Sequence, residues 1–217
     1  ADVMTDRDDL TALLLQIGDD HLFLGHRLSE WCGHAPMLEE DLALPNMSLD
    51  LIGTARMCYS YAAEIEGGGR TEDYYAFFRD GTEFRHVIMA ERPNGDFAHT
   101  ILRQFFFAAY MNPFWRAMTG SVDRQLAAHA GKAVKETAYH IRHCGEWVIR
   151  LGDGTEESAC RMATALDDLA PYIGEMFETD ETASRLIMTG VLPDPVPVRS
   201  AFEDTVAQTF AMATMPP

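Results

Sequence analysis

A chain of 217 residues that is 47% hydrophobic and 24% charged is long enough to enclose a full-sized core, with the composition of an ordinary soluble globular protein. Its 17 Lys and Arg against 34 Asp and Glu leave a formal charge of −17, which repels nucleic-acid phosphates and anionic lipid surfaces alike. No apolar run approaches the roughly 20 residues that span a bilayer, and the acidic start Ala1-Asp2-Val3-Met4-Thr5-Asp6 is unlike a secretory leader, so a cytoplasmic protein is expected.

The first segment carries Leu10, Leu14, Ile17, His21, Leu24, Leu28 and Trp31 at alternating steps of four and three, the spacing of one helix face. Asp8 or Asp9 suits the positive end of that helix. A second helix is predicted from Leu38, Leu42, Pro45, Leu49, Ile52, Arg56, Tyr59 and Ala63, with Pro45 implying a kink or a helix start. Gly67-Gly68-Gly69 has neither the strand, the helix nor the lysine of a phosphate loop and reads as a flexible connection. Tyr74-Tyr75-Ala76-Phe77-Phe78, with Phe84, predicts a short helix packed on the rest, any exposed part of which would suit protein docking.

After the turn Pro93-Asn94-Gly95, a third helix follows from Phe97, Ile101, Gln104, Ala108, Met111 and Trp115. The fourth, capped by Ser121 or Asp123, carries Leu126, Ala130, Ala133, Thr137, His140, Cys144, Trp147 and Leu151 and stops at Gly152-Asp153-Gly154. A proline-rich strap over 192–199 precedes a last short amphipathic segment, Ala201–Ala213. Four long seams of helical period predict an all-α fold, one helical bundle over residues 1–217 with additional short helices.

Cys32, Cys58, Cys144 and Cys160 show no Cys-x-x-Cys pairing and read as small buried apolar residues. No Gly-x-Ser-x-Gly elbow and no dinucleotide fingerprint occurs. The polar residues in the seams are the informative ones. An unsatisfied buried polar group costs about 1–3 kcal/mol, so His21, Gln104, Thr137 and His140 each need a partner. A buried polar network drawing on His21, Gln104 and Glu136 is one expectation, and a Glu136–His140 carboxylate–imidazolium pair, four residues apart, is part of it. His140 and His143 form His-x-x-His, but nothing nearby completes the three or four ligands zinc wants.

Lys135-Glu136-Thr137-Ala138-Tyr139-His140 has the outline of the Glu-x-x-His by which helical di-iron proteins present two ligands on one face. Three residues before His140, however, stands Thr137. Glu136 is one position off, a rotation of about 100° around the helix, and cannot take the lost role. The motif reads as a ligand site disarmed, with no catalytic residue and no metal expected in this chain.

Several blocks carry a family resemblance: Glu30-Trp31-Cys32-Gly33-His34-Ala35-Pro36, Leu42-Ala43-Leu44, and Leu49-Asp50-Leu51-Ile52-Gly53-Thr54-Ala55-Arg56. Ala76-Phe77-Phe78-Arg79-Asp80, Pro93-Asn94-Gly95-Asp96-Phe97-Ala98 and the block ending in His140 complete the set. From about residue 10 to the last helix the chain resembles the C subunits of the bacterial ring-1,2-phenylacetyl-CoA epoxidases, multicomponent di-iron oxygenases. The resemblance implies a single ferritin-like four-helix-bundle domain and a non-catalytic, structural or activating subunit in phenylacetate degradation. The implied partners are a homologous catalytic subunit that holds the di-iron centre, a reductase and small accessory subunits. It also implies that Leu51, Thr54, Thr137 and His140 stand at the positions of metal ligands, only the last with its ligand side chain retained. Pro45 departs from the family pattern, and relatives carry a further segment beyond Pro216-Pro217, whose docking role would be altered here.

Two other readings stay open. One is an oxidase or oxygenase with its own unconventional di-metal site built from His21, Glu136, His140 and a carboxylate such as Asp50 or Asp20. The other is an unrelated helical interaction module.

Overall fold

Apolar residues at helical spacing, with a side-chain acceptor before most of the longer helices, give an all-α chain in the computed structural model, which describes residues 6–216. The acidic start, residues 1–5, and the terminal Pro217 lie outside the described residues. The helices are α1 (Arg7–Ser29), α2 (Leu38–Glu66), α3 (Glu72–Phe77), α4 (Ile88–Glu91), α5 (Phe97–Met118), α6 (Arg124–Gly152), α7 (Glu156–Leu169), α8 (Glu181–Met188) and α9 (Pro195–Met212). Short 3-10 turns lie at Gly81–Glu83, Ala170–Tyr172 and Gly174–Phe177. Four long helices, α1, α2, α5 and α6, with shorter ones around them are the elements of a ferritin-like fold. The chain forms two compact units: the segment ending at Pro93 with Thr179–Thr189, and Asn94–Glu178 with the segment from Gly190.

In the first unit, α1 and α2 run antiparallel and closely packed. Two glycines one heptad apart on α1 permit this. A Cβ on Gly18 would sit 2.6 Å from Cε1 of Tyr59, and one on Gly25 would sit 3.0 Å from Cγ1 of Ile52. The Ser48 hydroxyl donates to the Gly25 carbonyl at 2.6 Å, a bond only a close crossing allows. α1 starts as its sequence suggests: Asp6 caps it, Asp8 and Asp9 fill its first turn, and Leu10, Leu14, Ile17, His21, Leu24 and Leu28 are all buried. Asp9 also takes two hydrogen bonds from Arg185, at 2.7 and 2.6 Å, which fasten α8 to α1.

The seam expected for α2 is corrected. Leu38, Leu42 and Leu49 are 71%, 60% and 66% exposed and Arg56 is exposed as well, whereas Leu44, Met47, Leu51, Ala55, Cys58 and Ala62 are buried. Of the expected line only Tyr59 is buried, against Gly18 of α1, with Ile52 half-buried beside Gly25; the residue next to each on the helix, about 100° away, belongs to the buried line. Pro45 neither starts nor ends the helix, which runs unbroken from Leu38 to Glu66. A mid-helix proline costs about 3 kcal/mol, which the buried line of α2 outweighs. Gly67, Gly68 and Gly69 all take positive φ, the left-handed region that favours glycine, and turn the chain into α3. There Tyr75 is buried while Phe77 and Phe78 stay exposed.

In the second unit, α5 is the central helix, buried without interruption over residues 101–109. Against it pack α6, α7 and α9, and Phe106 meets Phe202 and Phe210 of α9 with ring centroids 6.3 and 6.0 Å apart. The seams expected for α5 and α6 are those observed, with only Phe97, Trp147 and Leu151 at their ends half-buried. Asp123 caps α6, accepting from the Leu126 amide at 2.9 Å. The proline-rich strap is corrected. Asp194 is a helix cap, Pro195 opens α9, and Pro197 lies in its first turn, where the backbone amides have no partner within the helix to lose. Cys58 and Cys144 are buried as expected, but Cys32 and Cys160 are exposed.

Candidate functional site

The α6 motif is wired into the second unit by neutral hydrogen bonds. The Thr137 hydroxyl donates to the Ala133 carbonyl at 2.7 Å and accepts from Nδ2 of Asn112 on α5 at 3.0 Å. One turn on, His140 is 1% exposed, and its Nδ1 faces Nε2 of Gln104 at 3.2 Å. The contact ties the His140 imidazole to the Gln104 side-chain amide. Oε1 of Gln104 is buried and meets no hydrogen-bond donor among the described residues. Glu136, half-buried, turns to Lys132 at 3.0 Å, and His143 packs on the Tyr139 ring.

In the first unit, Leu51 and Thr54 are both 3% exposed, with Leu51 beside Gly25 of α1. Nδ1 of His21 lies 2.7 Å from the carbonyl of Ile17, one turn back on its own helix. Asp20 accepts from the Val87 amide at 2.6 Å and Asp50 is half-buried. Among the expected site residues, then, the structure joins Gln104 to His140, sets Thr137 one turn away on Asn112, and gives His21, Glu136 and Asp20 partners of other kinds.

The strongest polar cluster is one that sequence reasoning missed. Asp19 is fully buried and accepts from Arg79 Nη2 and from the Tyr59 hydroxyl, each at 2.5 Å, while its second oxygen takes the Arg85 amide at 2.8 Å. Arg79 also covers the Phe84 ring, 4.1 Å from its centroid. Burial and then the adjacent Asp19 charge push the Tyr59 phenol upward, so it remains a donor. Burial would lower the Arg79 pKa, but the bonds to Asp19 outweigh it and the guanidinium stays charged. The only sequence signal was Arg79 inside the block Ala76-Phe77-Phe78-Arg79-Asp80, with its acidic partner 60 residues away.

The donor set at the four implied ligand positions does not fit a carboxylate-bridged di-iron pair. Leu51 has no donor atom, Thr54 and Thr137 offer neutral hydroxyls, and His140 alone offers an imidazole. The Thr137 hydroxyl is already bonded both to its own helix and to Asn112. Among the described residues no group of three or more His, Cys, Asp or Glu side chains is arranged to hold a metal ion. These contacts join helices: Asn112–Thr137 and Gln104–His140 fasten α5 to α6, and Asp19 fastens α1 to α2 and to the segment after α3.

The fold defines an all-α, ferritin-like helical protein. The chain belongs to the Phenylacetic acid catabolic protein family, which it matches over residues 1–217. It is 45% identical over 208 residues, 96% of this chain and 84% of the relative, to the C subunit of the 1,2-phenylacetyl-CoA epoxidase of Escherichia coli (strain K12). No helix of the described residues is long and apolar enough to cross a membrane.

Proposed function

We propose that this chain is the structural and activating C subunit of a cytoplasmic phenylacetyl-CoA epoxidase, itself without catalytic metal. It packs against a homologous catalytic subunit that holds the di-iron centre, and a reductase and small accessory subunits make up the rest of the assembly. What supports this reading is family likeness over the whole chain, together with Leu51, Thr54 and Thr137 at the positions that the resemblance implies for metal ligands. A carboxylate-bridged iron pair needs negative charge as well as coordination, and these three side chains supply none. Selection on such a chain acts on its shape and surface.

Reconstitution tests the reading. The cognate catalytic subunit, loaded with iron and given its reductase, is assayed for epoxidation of phenylacetyl-CoA with and without this chain. Activity that depends on this chain supports the proposal, and full activity without it defeats it. Metal content of the isolated chain gives the second measurement, with less than about a tenth of an iron, manganese or zinc per chain expected. Close to two metals per chain, lost on His140→Ala, would mean this chain holds a metal site of its own.

A further inference from the structure

His99 stands between two carboxylates, one at each ring nitrogen. Its Nδ1 lies 2.9 Å from Oδ1 of Asp96, the cap of its own helix α5, and its Nε2 lies 2.8 Å from Oδ2 of Asp168 in the last turn of α7. A carboxylate oxygen only accepts, so each contact needs an N–H on the ring, and the two together need the imidazolium. A neutral imidazole has one N–H and keeps only one of them. Asp96 has the firmer hold. The same Oδ1 also accepts from the His99 backbone amide at 2.9 Å, and Gly95, at φ 59°, makes room for the ring where a Cβ would stand 2.8 Å from its Cγ. Asp168, its side chain 55% exposed, is the partner that deprotonation gives up.

The further charge at this site is Arg161 of α7, 3.4 Å from the second oxygen of Asp96 and held by Glu157 at 2.7 Å. α6 meets this end of α5 through the uncharged Trp147, whose ring stands edge-on to Phe97 at 5.1 Å. α7 itself is lightly anchored, with Met162, Ala165 and Leu169 its buried residues. A helix held by so few buried side chains opens at lower cost than the core around it. α7 also carries Glu156, Glu157, Cys160, Arg161 and Thr164, which with Asp96 line a cleft of about 570 Å³. We propose that Asp96, His99 and Asp168 form a proton-operated latch, which fastens the last turn of α7 to the start of α5 while the imidazole is charged and frees it, with the cleft beside it, when the proton leaves. Burial alone would lower the His99 pKa, but the bonds to Asp168 and Asp96 outweigh it and raise the pKa above 6.5. The latch is therefore closed below about pH 6.5 and opens as pH climbs through the raised value.

The test is hydrogen exchange followed by NMR on the whole chain between pH 6 and 9, expressed as protection factors so that the intrinsic pH dependence of exchange is removed, with the His99 ring nitrogens observed alongside. In wild type both ring nitrogens should carry protons at pH 6, and protection of the α7 amides should fall about tenfold or more as the imidazole titrates while the amides of α5 and α6 hold theirs. Asp168→Asn separates the latch from plain packing. An amide both donates and accepts, so Asn bonds the ring in either charge state and the fall should vanish. Asp168→Ala, at the same exposed position, should leave the α7 amides poorly protected at every pH. α7 protection that stays constant while the wild-type imidazole titrates overturns the proposal. A fall in Asp168→Asn equal to that of wild type, or wild-type protection in Asp168→Ala at pH 6, overturns it too. A parallel fall across α5 and α6 would make the event global unfolding and remove the latch.

Discussion

Gln104 donates from Nε2 to Nδ1 of His140 across 3.2 Å, joining α5 to α6 where neither residue meets solvent. The bond gives the buried His140 imidazole a structural task. It also makes the pair a unit whose halves are costly apart. His140→Ala alone should destabilise the chain by about 2–4 kcal/mol, from the cavity and the stranded amide together. Gln104→Leu with His140→Leu should cost less than the sum of the two single changes, since no donor is then left facing a missing acceptor. Urea denaturation of the four proteins in the cycle measures this, and strict additivity would show that the two side chains act independently.

Asp19 is the larger liability. Its carboxylate is fully buried and answers Arg79, Tyr59 and the Arg85 amide. Asp19→Ala strands a guanidinium whose side chain is itself only 3% exposed, and should cost about 3–5 kcal/mol. Replacing Asp19 and Arg79 together by Leu and Met should recover a substantial part of that loss. Equilibrium denaturation distinguishes the two variants, and a double variant no better than Asp19→Ala would count against an ion-pair role.

His129 makes the second unit acid-sensitive. Burial against Trp115, with the nearby Lys132 charge adding to it, pushes the imidazole from 6.5 down to about 4. The native state therefore holds His129 neutral over a range in which the unfolded chain binds a proton. Its contribution is intact above about pH 6.5 and is lost progressively as pH falls towards 4. His129→Gln should flatten the decline in melting temperature between pH 7 and 5. Identical slopes in the two proteins would remove His129 from the explanation.

His99 works in the opposite sense. Burial alone would lower its pKa, but Asp168 at 2.8 Å and Asp96 at 2.9 Å outweigh it and raise the pKa above the ordinary 6.5. The stability from this clamp is present in full below about pH 6.5 and is lost as pH climbs through the raised value. His99→Asn should therefore lower the melting temperature more at pH 6 than at pH 9. A uniform loss across that range would mean the imidazole acts by packing rather than by charge.

The seams of α1 and α6 were legible because a local period of 3.6 residues picks out one apolar line, and that of α5 because the helix is buried on every side over residues 101–109. α2 was misread because it has two such lines, and nothing within the helix ranks them. Gly18 and Gly25 on α1 admit Tyr59 and Ile52, which stand on the expected line, while Leu44, Met47, Leu51, Ala55 and Cys58 on the other are buried. Pro195 was read as part of a strap because prolines break helix interiors, while the Asp194 cap that turns them into a helix start was overlooked. The Asp19–Arg79 pair spans 60 residues and leaves no periodic trace at either end.

By itself, the sequence determined the helical class, the long α1, α5 and α6, and the absence of a glutamate three residues before His140. These follow from short-range spacing, residue identity and the geometry of one helix turn. Only the tertiary structure decided which line of α2 is buried, that Gln104 and not Glu136 stands at Nδ1 of His140, and that Asp19 is the buried charge around which the first unit closes. Each of those outcomes depends on what a second helix brings within a few ångströms, and near-degenerate local choices are settled by packing density and by the need of every buried charge for a partner.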